Sequence, residues 1–296
     1  LTSQNNIFFL FAVFSISILL GSFAINLNIL IISLIFLCNL MMRKISYIFQ
    51  SKTFLLLIFF LITLLINLIF TNNLSLSFPR VVKFFFVIFF ISSFKYALLN
   101  FSDNQKEGLY KIWSIIFTFI VFDLMIEFYR GENIIGLKSI MPNVRLASLT
   151  GKESVIGNYF YGFVLIFLSY FYNNFSKKGS INLLLAIFLI TVSFLIGERA
   201  NFIRTFIIII LFIFFIYDFK VRNKILALLA LSLLLITFIN FNPQYKTRYF
   251  NQISIFFTKN GISSYLNSSH YGAHYNVAKE ILKDNYFFGV GIKNFR

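Results

Sequence analysis

An all-helical, polytopic integral membrane protein is the fold class this sequence predicts, on three observations. Hydrophobic residues make up 59% of the 296 positions and charged residues only 12%, against about 25% charged in an ordinary soluble domain. The apolar residues fall in unbroken runs, not in amphipathic stripes, and about 20 such residues in a helix cross a bilayer core. Lys and Arg gather in the short gaps between runs, where topology signals lie. With a mean hydropathy of +0.84, a water-soluble globular fold is excluded.

The runs are taken in order. Residues 1–42 carry no charge and are long enough for two crossings, with a turn expected between Gly21 and Asn28. Further crossings read as 53–70, 80–98, 111–129, 154–172, 181–196, 200–217 and 224–241, about nine in all. No internal repeat is visible, which argues against an inverted-repeat transporter. Residues 1–241 thus form a transmembrane domain, and 242–296 open a large outer loop. Within that loop, 273–285 reads as an amphipathic helix with Val277, Ile281 and Leu282 on one side. Its apolar side is expected to dock at the membrane, leaving Lys279 and Lys283 wet. No Met opens the chain and Arg296 falls in a segment of structured character, so the sequence reads as cut at both ends. The uncharged start argues against a signal peptide.

Alternate gaps carry Arg43, Lys44 and Lys52, then Lys95, Lys106 and Lys111, then Lys177 and Lys178, then Lys220, Arg222 and Lys224. Compact basic loops of this kind are cytoplasmic. The opposite loops, including 131–153 and everything after Asn242, are then outside. The net charge of +16 comes without any nucleic-acid-binding module, so the expected partners are membrane lipids and phosphate-bearing lipids, not nucleic acid. The single cysteine, Cys38, allows neither a disulfide nor a thiolate metal site within the chain.

The informative charges cluster at the expected outer face. They are Arg80 and Lys83, Arg145 and Lys152, Glu198, Arg199 and Arg204, and Arg248 after the last crossing. Arginines near a membrane face often only snorkel. Arg199 differs, because it follows Gly197 and Glu198 in a tight corner that opens a helix, and a helix start with guanidinium groups suits phosphate. Asp123 and Glu127 share one face of the fifth crossing. Carboxylates at that depth pair with a cation, here an outer arginine, or move a proton for a substrate. His270 and His274 have zinc-ligand spacing but no third ligand, so no metal site is expected. No Asp-x-Asp, phosphate loop or nucleophile elbow occurs.

Three stretches carry a resemblance. Arg145-Leu-Ala-Ser-Leu-Thr-Gly-Lys-Glu-Ser-Val-Ile-Gly157, leading into a helix, resembles the outer loop of the O-antigen ligase and O-antigen polymerase superfamily. Gly197-Glu-Arg-Ala-Asn-Phe202 is similar to that family's Arg-bearing corner. His270-Tyr-Gly-Ala-His-Tyr-Asn-Val-Ala-Lys and Phe288-Gly-Val-Gly-Ile-Lys-Asn-Phe-Arg296 resemble the end of its large periplasmic loop.

The resemblance implies a GT-C-like inner-membrane glycosyltransferase with a periplasmic active face. The donor would be an undecaprenyl-diphosphate-linked glycan, and the acceptor lipid A-core in a ligase or a glycan repeat unit in a polymerase. No cofactor and no required metal are implied. Arg145 and Arg199, then Arg248 and Arg204, are implied to bind the diphosphate. The family's His-rich motif, which supplies the implied base, would fall beyond Arg296. That leaves Asp123, Glu127, His270 and His274 as weak catalytic candidates and the fragment itself expected to be inactive. The rival readings are a lipid-linked oligosaccharide flippase or other polysaccharide transporter, with cations near the midplane, and an inactive membrane scaffold.

Overall fold

The computed structural model describes residues 2–42, 51–139, 141, 144–151, 155–174, 179–217, 220–251, 254, 261–287 and 289–292, and among them no strand occurs. Nine helices come first: α1 (Thr2–Leu19), α2 (Ser22–Met41), α3 (Lys52–Ile69), α4 (Leu74–Asn100), α5 (Asp103–Arg130), α6 (Ile156–Asn174), α7 (Gly179–Leu195), α8 (Arg199–Ile216) and α9 (Val221–Phe241). A helical turn Pro243–Tyr245 and a π-helical turn Lys246–Asn251 follow. Two further helices, Gly261–Ser268 and His270–Asp284, complete the described chain.

Six of these helices, α2, α3, α4, α5, α8 and α9, are long and apolar enough to cross a membrane. The protein is therefore a helical, multi-pass membrane protein. α1 and α7 contribute shorter apolar stretches, Asn5–Leu19 and Ser180–Leu195. Burial separates the spans: 44% of the α5 window lies inside the fold, against 11% for α3 and α9. α5 is thus the most enclosed of the six, and α3 and α9 leave most of their surface exposed.

Two helices start earlier than their apolar runs. α5 begins at Asp103, not near 111, because Ser102 and Gln105 form a capping box. The Gln105 amide donates to Ser102 Oγ at 3.3 Å, and the Ser102 amide to Gln105 Oε1 at 3.1 Å. Such reciprocal bonds satisfy two donors that a helix start otherwise leaves open. α4 begins at Leu74, where Asn73 caps the first turn, and holds Pro79 inside it. The Pro79 ring forgoes one helical bond without ending the helix.

The chain divides into two compact units, Leu1–Ile7 with Asn26–Phe101 and Ile253–Arg296, and Phe8–Ile25 with Ser102–Gln252. The core of the first is Phe36, Phe54, Leu61, Val81, Ile88 and Phe89. Ser33 on α2 places its hydroxyl 2.7 Å from the Phe86 carbonyl on α4. The chain beyond the His270–Asp284 helix returns to this unit: the Asn72 amide donates to the Val290 carbonyl at 3.3 Å and the Ser77 hydroxyl to that of Ile292 at 2.8 Å. The amphipathic helix is capped by Ser269, whose hydroxyl accepts from the Gly272 amide. Ile281, half-buried, and Leu282 line an open groove toward the end of α3, and Val277, Leu282 and Lys279 are exposed.

In the second unit, aromatic side chains seal α5 against α6. Trp113 meets Phe163 edge-on at 5.5 Å, and Phe117 packs on Phe160 at 5.0 Å. The Trp113 indole N–H finds the Phe11 carbonyl at 3.0 Å, as a buried indole donor requires. Lys224, at the start of α9, is buried: its ammonium donates to the Phe214 carbonyl at 2.9 Å. That bond satisfies a carbonyl in the last turn of α8, a common task for lysine at a helix C-terminus.

Candidate functional site

The site grows from the end of α5 in the second unit. Asp123 and Glu127 are both buried there, one turn apart. Among the described residues, their partners are the backbone and a hydroxyl of the loop that follows, and not a guanidinium. Glu127 accepts from the Ala147 amide at 3.0 Å and the Ser148 amide at 2.6 Å. Asp123 accepts from the Ile134 amide at 2.8 Å and the Ser148 hydroxyl at 2.5 Å. Charge-assisted bonds of this kind are about twice as strong as neutral ones. The two carboxylates therefore serve as anchors for the loop. Their oxygens are engaged, which gives them a positioning task and leaves little for proton transfer.

Asn133 supports the same loop from within. Its Nδ2 donates to the Ser148 carbonyl at 2.9 Å, and its Oδ1 accepts from the Leu137 amide at 2.7 Å. Gly131 ends α5 with φ 77°, the left-handed conformation that suits a helix C-terminus. Ser148 itself has φ 49°, uncommon for a residue with a side chain. Its amide, hydroxyl and carbonyl are all hydrogen-bonded, which holds it there.

The anchored loop then meets the corner between α7 and α8. The Leu146 amide donates to the Ile196 carbonyl at 3.2 Å. Gly197 has φ 77°, and a Cβ there would collide with the Val144 carbonyl and stand 3.5 Å from the Arg145 Cα. So the backbone of Arg145 lies directly against the corner that opens with Glu198 and Arg199. The contact repeats at the other end of the loop. A Cβ on Gly157, at the start of α6, would strike the Glu198 carboxylate and lie 2.9 Å from Asn201 Nδ2. Asn201 in turn donates to Glu198 Oε2 at 2.5 Å. Two glycines thus let two distant segments close on each other.

The exit of α9 covers the same corner. Tyr245 donates its hydroxyl to the Leu195 carbonyl at 2.8 Å, and Tyr249 donates to that of Phe194 at 3.3 Å. Both rings stack on Phe194, at 5.3 and 4.6 Å. Between this cover and the end of α5 lies a cavity of about 200 Å³, lined by Glu127, Phe128, Gly131, Ser139, Arg145, Leu146, Asn242 and Tyr245. It is smaller than the roughly 300–1,000 Å³ of ordinary small-molecule pockets and suits a compact polar group.

The other expected residues fall as follows. Arg199 is half-buried at the first position of α8, and its side chain is not among those lining this cavity. Arg204 is exposed further along α8. Arg248 belongs to the π-helical turn, and its side chain lies outside the described residues, as do Lys152 and the side chain of His270. His274 is exposed on the His270–Asp284 helix. Arg80 and Lys83 are exposed on α4. Among the described residues no group of three His, Cys, Asp or Glu side chains could hold a metal.

Sequence reasoning missed Asn133, Ser148, Tyr245 and Tyr249 as parts of the site. Asn133 had a usable signal, since an Asn just past a helix-ending Gly often bonds its own backbone. The tyrosines had none, because nothing local marks which carbonyl a phenol will reach. Comparison with protein-family models, curated proteins and solved structures gives no match for this chain.

Proposed function

We propose that this chain is a metal-independent, lipid-carrier-dependent glycosyltransferase of the bacterial inner membrane, of O-antigen ligase or polymerase type. In this reading α1 to α9 all cross the bilayer in a GT-C-like arrangement, with the active face periplasmic. The observation that carries it is the contact between the Arg145 backbone and Gly197, two residues before Arg199. Two arginine-bearing segments far apart in sequence share one corner, built on an anchored loop and a helix start.

The chemistry suits that arrangement. An acceptor hydroxyl on lipid A-core or on a glycan repeat unit attacks the anomeric carbon of the donor. The bond from that carbon to the phosphate oxygen breaks, and undecaprenyl diphosphate leaves with the electron pair. The hydroxyl proton goes to a general base. Negative charge grows on the diphosphate as the bond breaks, and guanidinium groups held in place stabilise it. Arg145 and Arg199 are the clamp in this reading, with Arg248 and Arg204 as secondary contacts.

The test uses the full-length protein in a strain lacking its own enzyme, with glycan transfer read on a gel. Arg145→Ala and Arg199→Ala, each present in the membrane at normal amounts, are expected to lose about 100- to 1,000-fold in transfer. Normal transfer by both variants overturns the reading.

A further inference from the structure

The start of α8 departs from an ordinary local pattern. Glu198 is the N-cap residue of α8 and Asn201 its third position, yet the Glu198 side chain caps nothing on its own helix. In the common capping box, the side chains at these two positions each bond the other's backbone amide and satisfy the helix start. Here the side chains bond one another: Asn201 Nδ2 donates to Glu198 Oε2 at 2.5 Å. The bonded pair lies on the first turn of α6, where Gly157 leaves no room for a Cβ beside either side chain.

This arrangement costs stability. Glu198 Oε1, Asn201 Oδ1 and, one turn further along the same face of α8, Thr205 Oγ1 are buried without a hydrogen-bond partner among the described residues. Each of these atoms gives up water and gains no bond in return. Places where a chain forgoes local satisfaction are expected to be functional or strained.

What the pair contributes is position. Glu198 stands between Arg199 and Gly197, whose Cβ, if present, would lie 3.5 Å from the Arg145 Cα. A Glu198 side chain held on α6 therefore fixes the peptide that joins the Arg145 contact to the first residue of α8. Arg145 and Gly157 lie at the two ends of one segment, so the corner is held against that segment twice. Without the second hold, α8 is free to pivot about the contact beside Arg145.

We propose that Glu198 and Asn201 are positioning residues, whose bond braces the start of α8 on the start of α6 and so sets Arg199 in register with the Arg145 loop. The effect on rate rests on the arginine clamp proposed above, whereas the brace itself does not.

The experiment uses the full-length protein with Cys38 replaced by Ser. Spin labels on Ala200→Cys and Asn158→Cys, both exposed in the first turns of α8 and α6, report the distance between the two helix starts. Asn201→Leu removes the bond at similar volume and is expected to broaden that distance distribution. Its Tm is expected to change little, since the unpartnered Asn201 oxygen goes with the bond. Without labels, Asn201→Leu and Glu198→Leu are each expected to lower kcat for glycan transfer about tenfold, with the donor KM within about twofold. Glu198→Gln still offers an oxygen to the Asn201 amide and is expected to bring kcat back to within about threefold of the unaltered protein. An unchanged distance distribution in Asn201→Leu overturns the brace, whatever the rates. A broadened distribution with unchanged kcat overturns its part in transfer. A parallel fall of kcat and Tm makes the pair structural and overturns the positioning role. So does a loss in Glu198→Gln as deep as in Glu198→Leu, because the charge and not the bond is then what acts. Normal transfer by Arg145→Ala and Arg199→Ala, or none by the unaltered protein, overturns the clamp instead, and the distance measurement still decides the brace.

Discussion

The backbone amide of Ser148 donates to the Glu127 carboxylate at 2.6 Å, inside the fold and 21 positions along the chain. The Ser148 hydroxyl adds a bond to Asp123 on the preceding turn of α5. A pair of acids at helical spacing is thus spent on holding a loop whose next residues reach the α7–α8 corner. Carboxylates buried in a membrane protein need a partner, and here the partner is the loop's own backbone.

Removing that anchor has a measurable consequence. Glu127→Ala leaves the Ala147 and Ser148 amides buried without an acceptor, and each bond to a charged group contributes about 1.5–3 kcal/mol. A stability loss of about 3 kcal/mol or more is expected, seen as a lower Tm in detergent and as new protease sensitivity within 131–151. Glu127→Gln keeps one acceptor oxygen and is expected to fall between the two. An unchanged Tm in Glu127→Ala would show that the loop is held by something else.

The glycine at the corner can be tested against its own control. Gly197 and Gly136 have almost the same left-handed backbone, φ 77° and 78°. Around Gly136 a Cβ meets nothing within 4 Å, whereas at Gly197 it strikes the Val144 carbonyl. Alanine at either position incurs the left-handed strain of about 1–2 kcal/mol. Only Gly197→Ala must also push the Arg145 segment away. The prediction is a clearly larger fall in Tm for Gly197→Ala than for Gly136→Ala. Equal falls would mean that the close approach carries no weight.

These residues also show where sequence reading reached and where it stopped. The helical membrane architecture was legible because every apolar run of about 20 residues has one physical outcome in lipid. Helix starts were less legible: the runs marked the hydrocarbon span, while the Ser102–Gln105 box and the Asn73 cap extend the helices past it. At the site, Arg145, Gly197 and Arg199 stood out by residue type and by the turn they imply. The partners of Asp123 and Glu127 did not, because an arginine and a backbone amide satisfy a buried carboxylate equally well. Only the folded loop decides between them. The burial of Lys224 was not legible either, since a lysine in a basic gap and a lysine bonded to a helix end look alike in sequence.

Orientation is open to a direct measurement. The basic loops put Lys177 on the cytoplasmic side and Lys138 on the outer side, and Lys138 is exposed. Cys38, exposed on α2, is first replaced by Ser so that it does not react in the background. Cysteine at 138 is then expected to react with an impermeant thiol reagent in intact cells, and cysteine at 177 only after lysis. The reverse pattern inverts the chain and moves the arginine corner to the cytoplasm, where the proposed donor glycan is not presented.

The last prediction separates charge from geometry at the arginine corner. Lysine keeps the positive charge but presents a single point, where guanidinium offers a planar fork to two phosphate oxygens. If Arg199 only balanced charge or snorkelled, Arg199→Lys would be silent. In the proposed clamp it loses part of the stabilisation that builds with charge on the leaving diphosphate, so turnover falls while binding of the donor and the Tm change little. A drop of about 10-fold or more is expected for Arg199→Lys, and a larger one for Arg199→Ala. Arg222, exposed on α9 and no part of the clamp, is the control, and Arg222→Lys is expected to stay within about twofold of the unaltered protein. The measurement is initial transfer rate against donor concentration, in the full-length protein, with Tm recorded on the same samples. Equal rates for Arg199→Lys and the unaltered protein would reduce Arg199 to a surface charge. A parallel loss of rate and Tm would make it a structural residue of the corner, and the clamp would then have to rest on Arg145 alone.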